Sequence, residues 1–455
     1  MSRLAYWGLL GLVVLVPLPL AADRPLPWSA MALWVGLLLV LWAIFAARRR
    51  SEHGRAADRY LLPIAVVFGL AIAWLVFQTM APAPLQLLPD AARRAAALLD
   101  EPAPPGLGLD ADAAWTTLMR ILAYGGVAFL GWEYGRHRAD AQGLVWATLV
   151  ATVIYAVYGL IVQLAGLNTV LWFAKTAYHD SVTGPFINRN SFATYIGIGL
   201  AAALGLAASR WLRRPTRHRV GSPTSHGDLR LALLVLVVAL LAVTLVMTRS
   251  RGGFYSFGLA VLAGGIGLTV SGALRGRRLA LAILGGAAAL VAVLAAGGSG
   301  LATRLETDRI SIEGSRGDIF GPTLAAIGQR PLLGYGLGSF QGVFEAGNDG
   351  ALYRHGYNLD KAHNTYLELA LEGGIPVAVA LSACVVALAV PCLLALWRRR
   401  SIVFGLTGSV AAIGVGVHAL FDFSFQMPAV AVTFLALLGA CAAQSRRSLS
   451  EAPQS

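Results

Sequence analysis

Residues 231–253 read LALLVLVVALLAVTLVMTRSRGG. The first 18 of them, through Thr248, carry no charge. As an α-helix such a run covers about 27 Å at ~1.5 Å per residue, close to the ~30 Å hydrocarbon core of a bilayer. Within lipid a helix is the one isolated segment that satisfies all of its own backbone polar groups. The run ends on Arg249-Ser250-Arg251-Gly252-Gly253, and a second apolar run over 254–272 follows at once. The segment therefore reads as a tight hairpin of two spanning helices with two arginines at its turn.

Working outward, runs of the same kind recur near 4–22, 28–47, 60–80, 115–135, 143–165, 189–209, 279–296, 364–396, 401–420 and 428–443. The fold class expected is all-α, a polytopic membrane protein of about twelve transmembrane helices with one large loop, 297–362, between helices 9 and 10. Of the 455 residues 57% are hydrophobic and 13% charged, with a mean hydropathy of +0.67, which leaves no soluble domain of ordinary size. Met1 to Ala22 has the basic start and apolar run of a signal peptide but leads directly into further spans, so it reads as the first helix. Cys384, Cys392 and Cys441 all lie in apolar runs and offer neither a disulfide framework nor a metal-ligand spacing.

The net charge of +13 does not point to nucleic acid, because the arginines sit in short loops rather than on one face of a folded domain. Of the 36 basic residues, 22 fall in alternate loops and at the two chain ends: Arg3, 48–59, Arg136 and Arg138, 210–230, 275–278, Arg398 to Arg400, and Arg446 with Arg447. The positive-inside rule assigns that face, and both termini, to the cytoplasm. The organisation expected is N-terminal helices over 1–180, a second membrane region over 181–443 and a cytoplasmic tail over 444–455. Loops 81–114, 166–188 and 297–362 then face the other side. Within the last, Ile319, Phe320, Leu324 and Ile327 fall on one helical face, as in a lid lying on the membrane. Gly334-Tyr335-Gly336-Leu337-Gly338 resembles half a dinucleotide fingerprint but lacks a preceding strand, so its glycines read as turn residues.

Three polar clusters gather at span ends on this non-basic side. Arg249 and Arg251 have no acidic neighbour in sequence, and Gly252 and Gly253 permit close backbone approach; a phosphate-bearing lipid would satisfy them, as would simple snorkelling to headgroups. Asn188-Arg189-Asn190 opens the sixth span, where amide donors and a helix N-terminus favour sugar hydroxyls or phosphate oxygens, or merely cap the helix. His363-Asn364-Thr365-Tyr366-Leu367-Glu368 opens the tenth. Thr365 and Glu368 have capping-box spacing, which leaves His363 just outside the helix, held neutral and able to accept a proton. Glu368 and Glu372 point away from it and read as structural. Arg316, in Ser315-Arg316-Gly317-Asp318, is placed to swing a cation over the same region. Arg330, His418 and Asp422 have ordinary surface explanations.

At these residues the chain resembles the O-antigen ligase superfamily of lipid-linked glycan ligases and polymerases, over roughly 180–440. The likeness rests on Ser250-Arg251-Gly252-Gly253 opening a span, on Arg316 to Phe340 with Pro331-Leu332-Leu333-Gly334-Tyr335-Gly336, and on His363-Asn364 running through Leu367 to Gly373-Gly374-Ile375-Pro376. The resemblance implies a multi-pass protein of the bacterial inner membrane, with its active site facing the periplasm. The donor is a glycan on undecaprenyl diphosphate. The acceptor is a glycolipid such as lipid A-core or a growing glycan, and membrane lipids surround the site. It further implies that Arg251 and Arg249 bind the leaving diphosphate, that His363 deprotonates or orients the acceptor hydroxyl, and that Asn188, Arg189 and Asn190 lie beside the donor; Arg316 and Asn364 are further candidates for substrate binding. The reaction expected is a metal-independent, inverting displacement with no cofactor. Ligation of a completed glycan is favoured over polymerisation. A flippase or exporter is the alternative of another class, though transporters place polar residues near the midplane rather than at one interface. A metal-dependent transferase would have to use Asp23 or Asp100-Glu101, neither of which has ligand-like company.

Overall fold

The structure is a computed structural model that describes residues 3–50, 59–80, 97–98, 107–213, 226–276, 278–281, 309–347 and 359–450, with the side chains of 47–50 and 309–317 outside that description. The described chain is almost wholly helical: α1 (Arg3–Leu15), α2 (Pro25–Arg50), α3 (Leu61–Met80), α4 (Ala111–Gly135), α5 (Arg138–Leu164), α6 (Arg189–Arg213), α7 (His226–Met247), α8 (Arg251–Val270), α9 (Arg309–Gln329), α10 (Phe340–Gly347), α11 (Thr365–Gly373), α12 (Ile375–Trp397), α13 (Ile402–His418) and α14 (Pro428–Ser450). Between α5 and α6 a small antiparallel hairpin pairs Thr169–Val170 with Phe173–Ala174. Among the described residues nine helices are long and apolar enough to cross a membrane, and α1 and α13 are shorter apolar helices. The ninth expected span, 279–296, lies outside the described residues beyond Leu281.

Helix α14 is the axis of the fold, and the whole of its most apolar stretch is buried inside the protein. Small residues make that possible. Gly131 and Gly135 of α4 face the backbone at Ala436 and Ala440 of α14, while Gly439 faces the carbonyl of Ala128. A side chain at any of the three glycines would collide with main chain, so the four-residue spacing of small residues is what lets the two helices touch. Lipid offers no hydrophobic gain for helix association, and close backbone contact of this kind replaces it. On the far side of α14, Phe257 of α8 sits wedged between Gly197 of α6 and Gly414 of α13, which fixes the height of α8 and of the arginines at its start.

The loops assigned to one face by their charge meet at one end of the bundle. Arg3 pairs with Asp140 at 2.8 Å, Arg446 lies 4.5 Å from the centre of the Tyr60 ring, and Arg447 donates to the carbonyl of Arg136 at 3.1 Å. Arg278 donates to the carbonyl of Leu212 at 3.0 Å.

Three local readings are corrected at the opposite end. The run 364–396 is two helices rather than one, because Gly374, at φ 85°, ends α11 and the Ile375-Pro376 pair restarts the chain as α12. The capping box at Thr365 and Glu368 is not formed. Asn364 caps α11, and Glu368 instead accepts from the Ala362 N–H at 2.9 Å and the Lys361 ammonium at 3.2 Å. Of the four residues on the expected lid face, Ile319 and Ile327 are buried and Phe320 packs beside them, against Phe340 and Leu371, but Leu324 is 55% exposed. The turn reading of 334–338 holds: Gly334, Gly336 and Gly338 have φ of 67°, 99° and 74°. At Gly334 a side chain would strike the carbonyl of Glu372, so this turn docks directly on the end of α11.

Candidate functional site

The site is built from three helix N-termini. The Asn188 side-chain oxygen accepts from the backbone N–H groups of Asn190 (2.7 Å) and Ser191 (3.4 Å) at the start of α6. The Ser250 hydroxyl accepts from Gly253 N–H at 3.2 Å and starts α8. Asn364 accepts from Tyr366 N–H (3.0 Å) and Leu367 N–H (3.1 Å) and starts α11. Each is a short polar residue that satisfies first-turn donors the helix itself cannot. Each helix also brings the partial positive charge of its N-terminus, a natural seat for an anion.

A single carboxylate joins these ends. Asp422, in the loop between α13 and α14, accepts from the Asn190 side-chain amide at 2.8 Å and from the Ser424 hydroxyl, and stands 3.9 Å from His363 Nδ1. Its backbone carbonyl accepts from the Thr365 hydroxyl at 3.2 Å, and the same loop takes Thr365 N–H on Ala419 O and the Asn364 amide on Leu420 O, both at 2.9 Å. His418, one turn earlier, has Nδ1 2.6 Å from the Thr194 hydroxyl of α6, and its Nε2 lies 2.9 Å from where a Cβ on Gly252 would stand. The surface explanation expected for His418 and Asp422 is therefore wrong, since each is 1% exposed. Together they stitch α6, α8 and α11 to one another.

Burial alone would raise the Asp422 carboxyl pKa, but His363, His418 and Ser424 outweigh it and hold the group below the usual carboxylate range. Asp422 is thus an anion at neutral pH. Facing His363 Nδ1 at a distance longer than a hydrogen bond, it acts on the ring through its charge and favours the proton on Nδ1, leaving Nε2 as an acceptor. The imidazole also rests edge-on against Phe423, with ring centres 5.1 Å apart. Its side chain remains 30% exposed, so a substrate can reach it. His363 has φ 51° and Arg249 φ 56°. Left-handed backbone at non-glycine residues costs about 1–2 kcal/mol each, and at both places the surrounding contacts impose it.

The cations stand beside this hub. Arg251 opens α8 and is half-buried. Arg249 pairs with Asp180, so the acid missing from its sequence neighbourhood arrives from 69 residues away. Asp180 is further tied to the Ser181 hydroxyl at 3.2 Å, and the Lys175 ammonium donates to the Ser181 carbonyl at 2.7 Å. Arg189 lies 5.0 Å from the centre of the Tyr178 ring, and its buried Nε has no hydrogen-bond partner among the described residues. Asn190, His363 and Asn364 thus meet at the Asp422 loop, Asn188 and Arg189 stand at the same start of α6, and Arg249 and Arg251 flank Ser250 at the start of α8, whose Gly252 approaches His418. Asn188 and Asn364, however, have their side-chain oxygens committed to helix caps, which makes them positioning groups. Arg316 lies in α9, and its side chain is outside the described residues. Asp180, His418 and Asp422 are the additions.

Asp422→Asn is expected to lower stability by about 1.5–3 kcal/mol, the usual worth of a hydrogen bond to a charged group. The carboxyl pKa is lower in the folded than in the unfolded chain, where it is near ~3.9. Its contribution is therefore complete above that value and is lost as pH falls through the folded value. Thermal unfolding in detergent should show wild type losing stability on acidification through that range and the Asn variant losing less. An unchanged pH profile would remove Asp422 as an anionic hub.

Residues 236–382 match the family model described as O-antigen ligase. The chain carries an O-antigen ligase family region. That region contains Arg249, Arg251, Arg316, His363 and Asn364, whereas Asn188 to Asn190, His418 and Asp422 lie outside it and are joined to it by the contacts above. No curated protein matches the chain.

Proposed function

We propose that this O-antigen ligase-type membrane protein moves a glycan from a polyprenyl (undecaprenyl) diphosphate to an acceptor hydroxyl at the non-cytoplasmic face of a bacterial inner membrane. The observation that carries the reading is that Asp422 and His418 join the starts of three helices, one opening on Arg189, one on Ser250 between Arg249 and Arg251, and one on Asn364 next to His363. In the reaction the acceptor oxygen attacks the anomeric carbon as the bond to the diphosphate oxygen breaks. The hydroxyl proton passes to His363 Nε2, and the imidazolium formed is stabilised by Asp422. Charge building on the leaving diphosphate meets guanidiniums that are already in place. Attack opposite to the leaving group inverts the anomeric centre.

Because guanidiniums supply the countercharge, chelators are expected to leave the rate unchanged. Activity lost with a chelator and restored by Mg²⁺ or Mn²⁺ would favour a metal-dependent transferase. Between the two glycan-transfer roles we favour ligation of a completed chain to a glycolipid such as lipid A-core. Gel analysis of a deletion strain tests this. Ligation predicts long lipid-linked chains accumulating beside bare acceptor, whereas accumulation of single repeat units would make the protein a polymerase.

A further inference from the structure

A cavity of about 980 Å³ is lined by none of Arg189, Arg249 and Arg251. It runs along α4 from Ala113 to Glu133, about 30 Å at ~1.5 Å per residue, and is walled by α2, α3, α12, α13 and α14. Trp42, Ile64, Phe68, Phe129 and Leu388 represent its apolar lining. The end nearest the hub is polar, with Arg120, Asp360, Lys361, Glu368 and Gln426 on its wall. Thr365 belongs both to that wall and, through its hydroxyl, to the Asp422 loop. The cavity therefore reaches, at Thr365, the loop whose carboxylate faces His363, while Gly252 approaches the same loop through His418.

The chemistry of the polar end says what fits. Lys361 is neutralised by Glu368 at 3.2 Å, and Asp360 brings a second carboxylate, so this end is not the cationic seat a diphosphate needs. Carboxylates accept hydrogen bonds from hydroxyls. Arg120 holds Thr117 at 3.0 Å and lies 4.8 Å from the centre of the Trp28 ring, yet its buried Nε has no hydrogen-bond partner among the described residues. An orphaned donor among acceptors suits a hydroxylated headgroup, whose oxygens both donate and accept.

We propose that this cavity seats the acceptor: a lipid whose hydrocarbon chain lies between α3, α4 and α12 and whose hydroxylated head rests at Arg120, Asp360 and Lys361. The assignment rests on the glycan-transfer reading for the word acceptor, and places donor and acceptor on opposite sides of His363. A ring hydroxyl at the polar end is then delivered past Thr365 to the imidazole. The diphosphate stays with Arg249 and Arg251.

The test uses the full chain in lipid nanodiscs and a dodecyl maltoside bearing a diazirine on its alkyl chain, with crosslinks mapped by mass spectrometry. Crosslinks are expected on the cavity walls of α3, α4 and α12, unchanged by excess undecaprenyl diphosphate. Ala65→Trp and Ala412→Trp, which fill the cavity from two different helices, should each reduce them at least tenfold, and Arg120→Gln should weaken them severalfold. Labelling confined to the lipid-facing surface, or indifferent to both tryptophans, would overturn the proposal. So would displacement by undecaprenyl diphosphate, which would make the cavity part of the donor site. In Arg251→Ala the crosslinks should persist while transfer stops. If that variant still transfers glycan, the transfer mechanism fails, and the crosslinks still decide the cavity.

Discussion

Replacing His363 with alanine is expected to lower glycan transfer by roughly two to four orders of magnitude, the usual worth of a positioned general base, while the protein still inserts and folds. The side chain contributes little to the core. It is 30% exposed, touches Phe423 by its edge and stands 3.9 Å from Asp422, while the helix behind it is capped independently by Asn364. Its backbone is left-handed, at φ 51°, a conformation that asparagine tolerates better than alanine. His363→Asn therefore serves as the stricter variant, since it relieves that objection and keeps a polar group but cannot take a proton near neutral pH. Both variants are expected to be inactive at normal protein levels. Near-normal activity in either removes His363 as the base.

The second large effect is expected at Arg251. Lysine there should cost about 10²–10³ in rate, in the range of losing one preorganised donor to a developing anion. The charge is kept, so the loss measures the forked geometry that a guanidinium offers two phosphate oxygens and an ammonium does not. Arg249→Lys is expected to be milder, because that residue already divides its charge with Asp180. Full activity in both lysine variants would reduce these residues to interfacial anchors. Loss of protein from the membrane instead of loss of rate would make them structural.

The fold was legible because lipid imposes a long apolar run, which hydropathy alone detects. The hairpin of α7 and α8 and the basic end of the bundle follow from that pattern and from the positions of arginine. The break at Gly374 escaped because the hydrophobic run continues through it, although Gly374-Ile375-Pro376 holds the ordinary signal for a new helix, a proline in the first turn. Arg249, Arg251, Asn190 and His363 stand out in the sequence as candidates because polar residues at the non-basic ends of spans need a partner. Which partner could not be read. Asp422 meets Asn190 across 232 residues of sequence, and Asp180 meets Arg249 across 69. One signal was present. His418 and Asp422 stand four residues apart at the end of an apolar span, away from the basic loops, and a titratable pair at that place is expensive unless something uses it.

The most direct test reconstitutes the purified chain in vesicles with undecaprenyl diphosphate bearing a radiolabelled glycan, acceptor lipid extracted from a deletion strain, and a chelator. The quantity to measure is undecaprenyl diphosphate released per glycan joined to acceptor. The mechanism predicts one for one, with both products absent in His363→Ala and no dependence on Mg²⁺. Donor that crosses the bilayer with its glycan still attached, with no diphosphate released, would contradict it and make the protein a transporter.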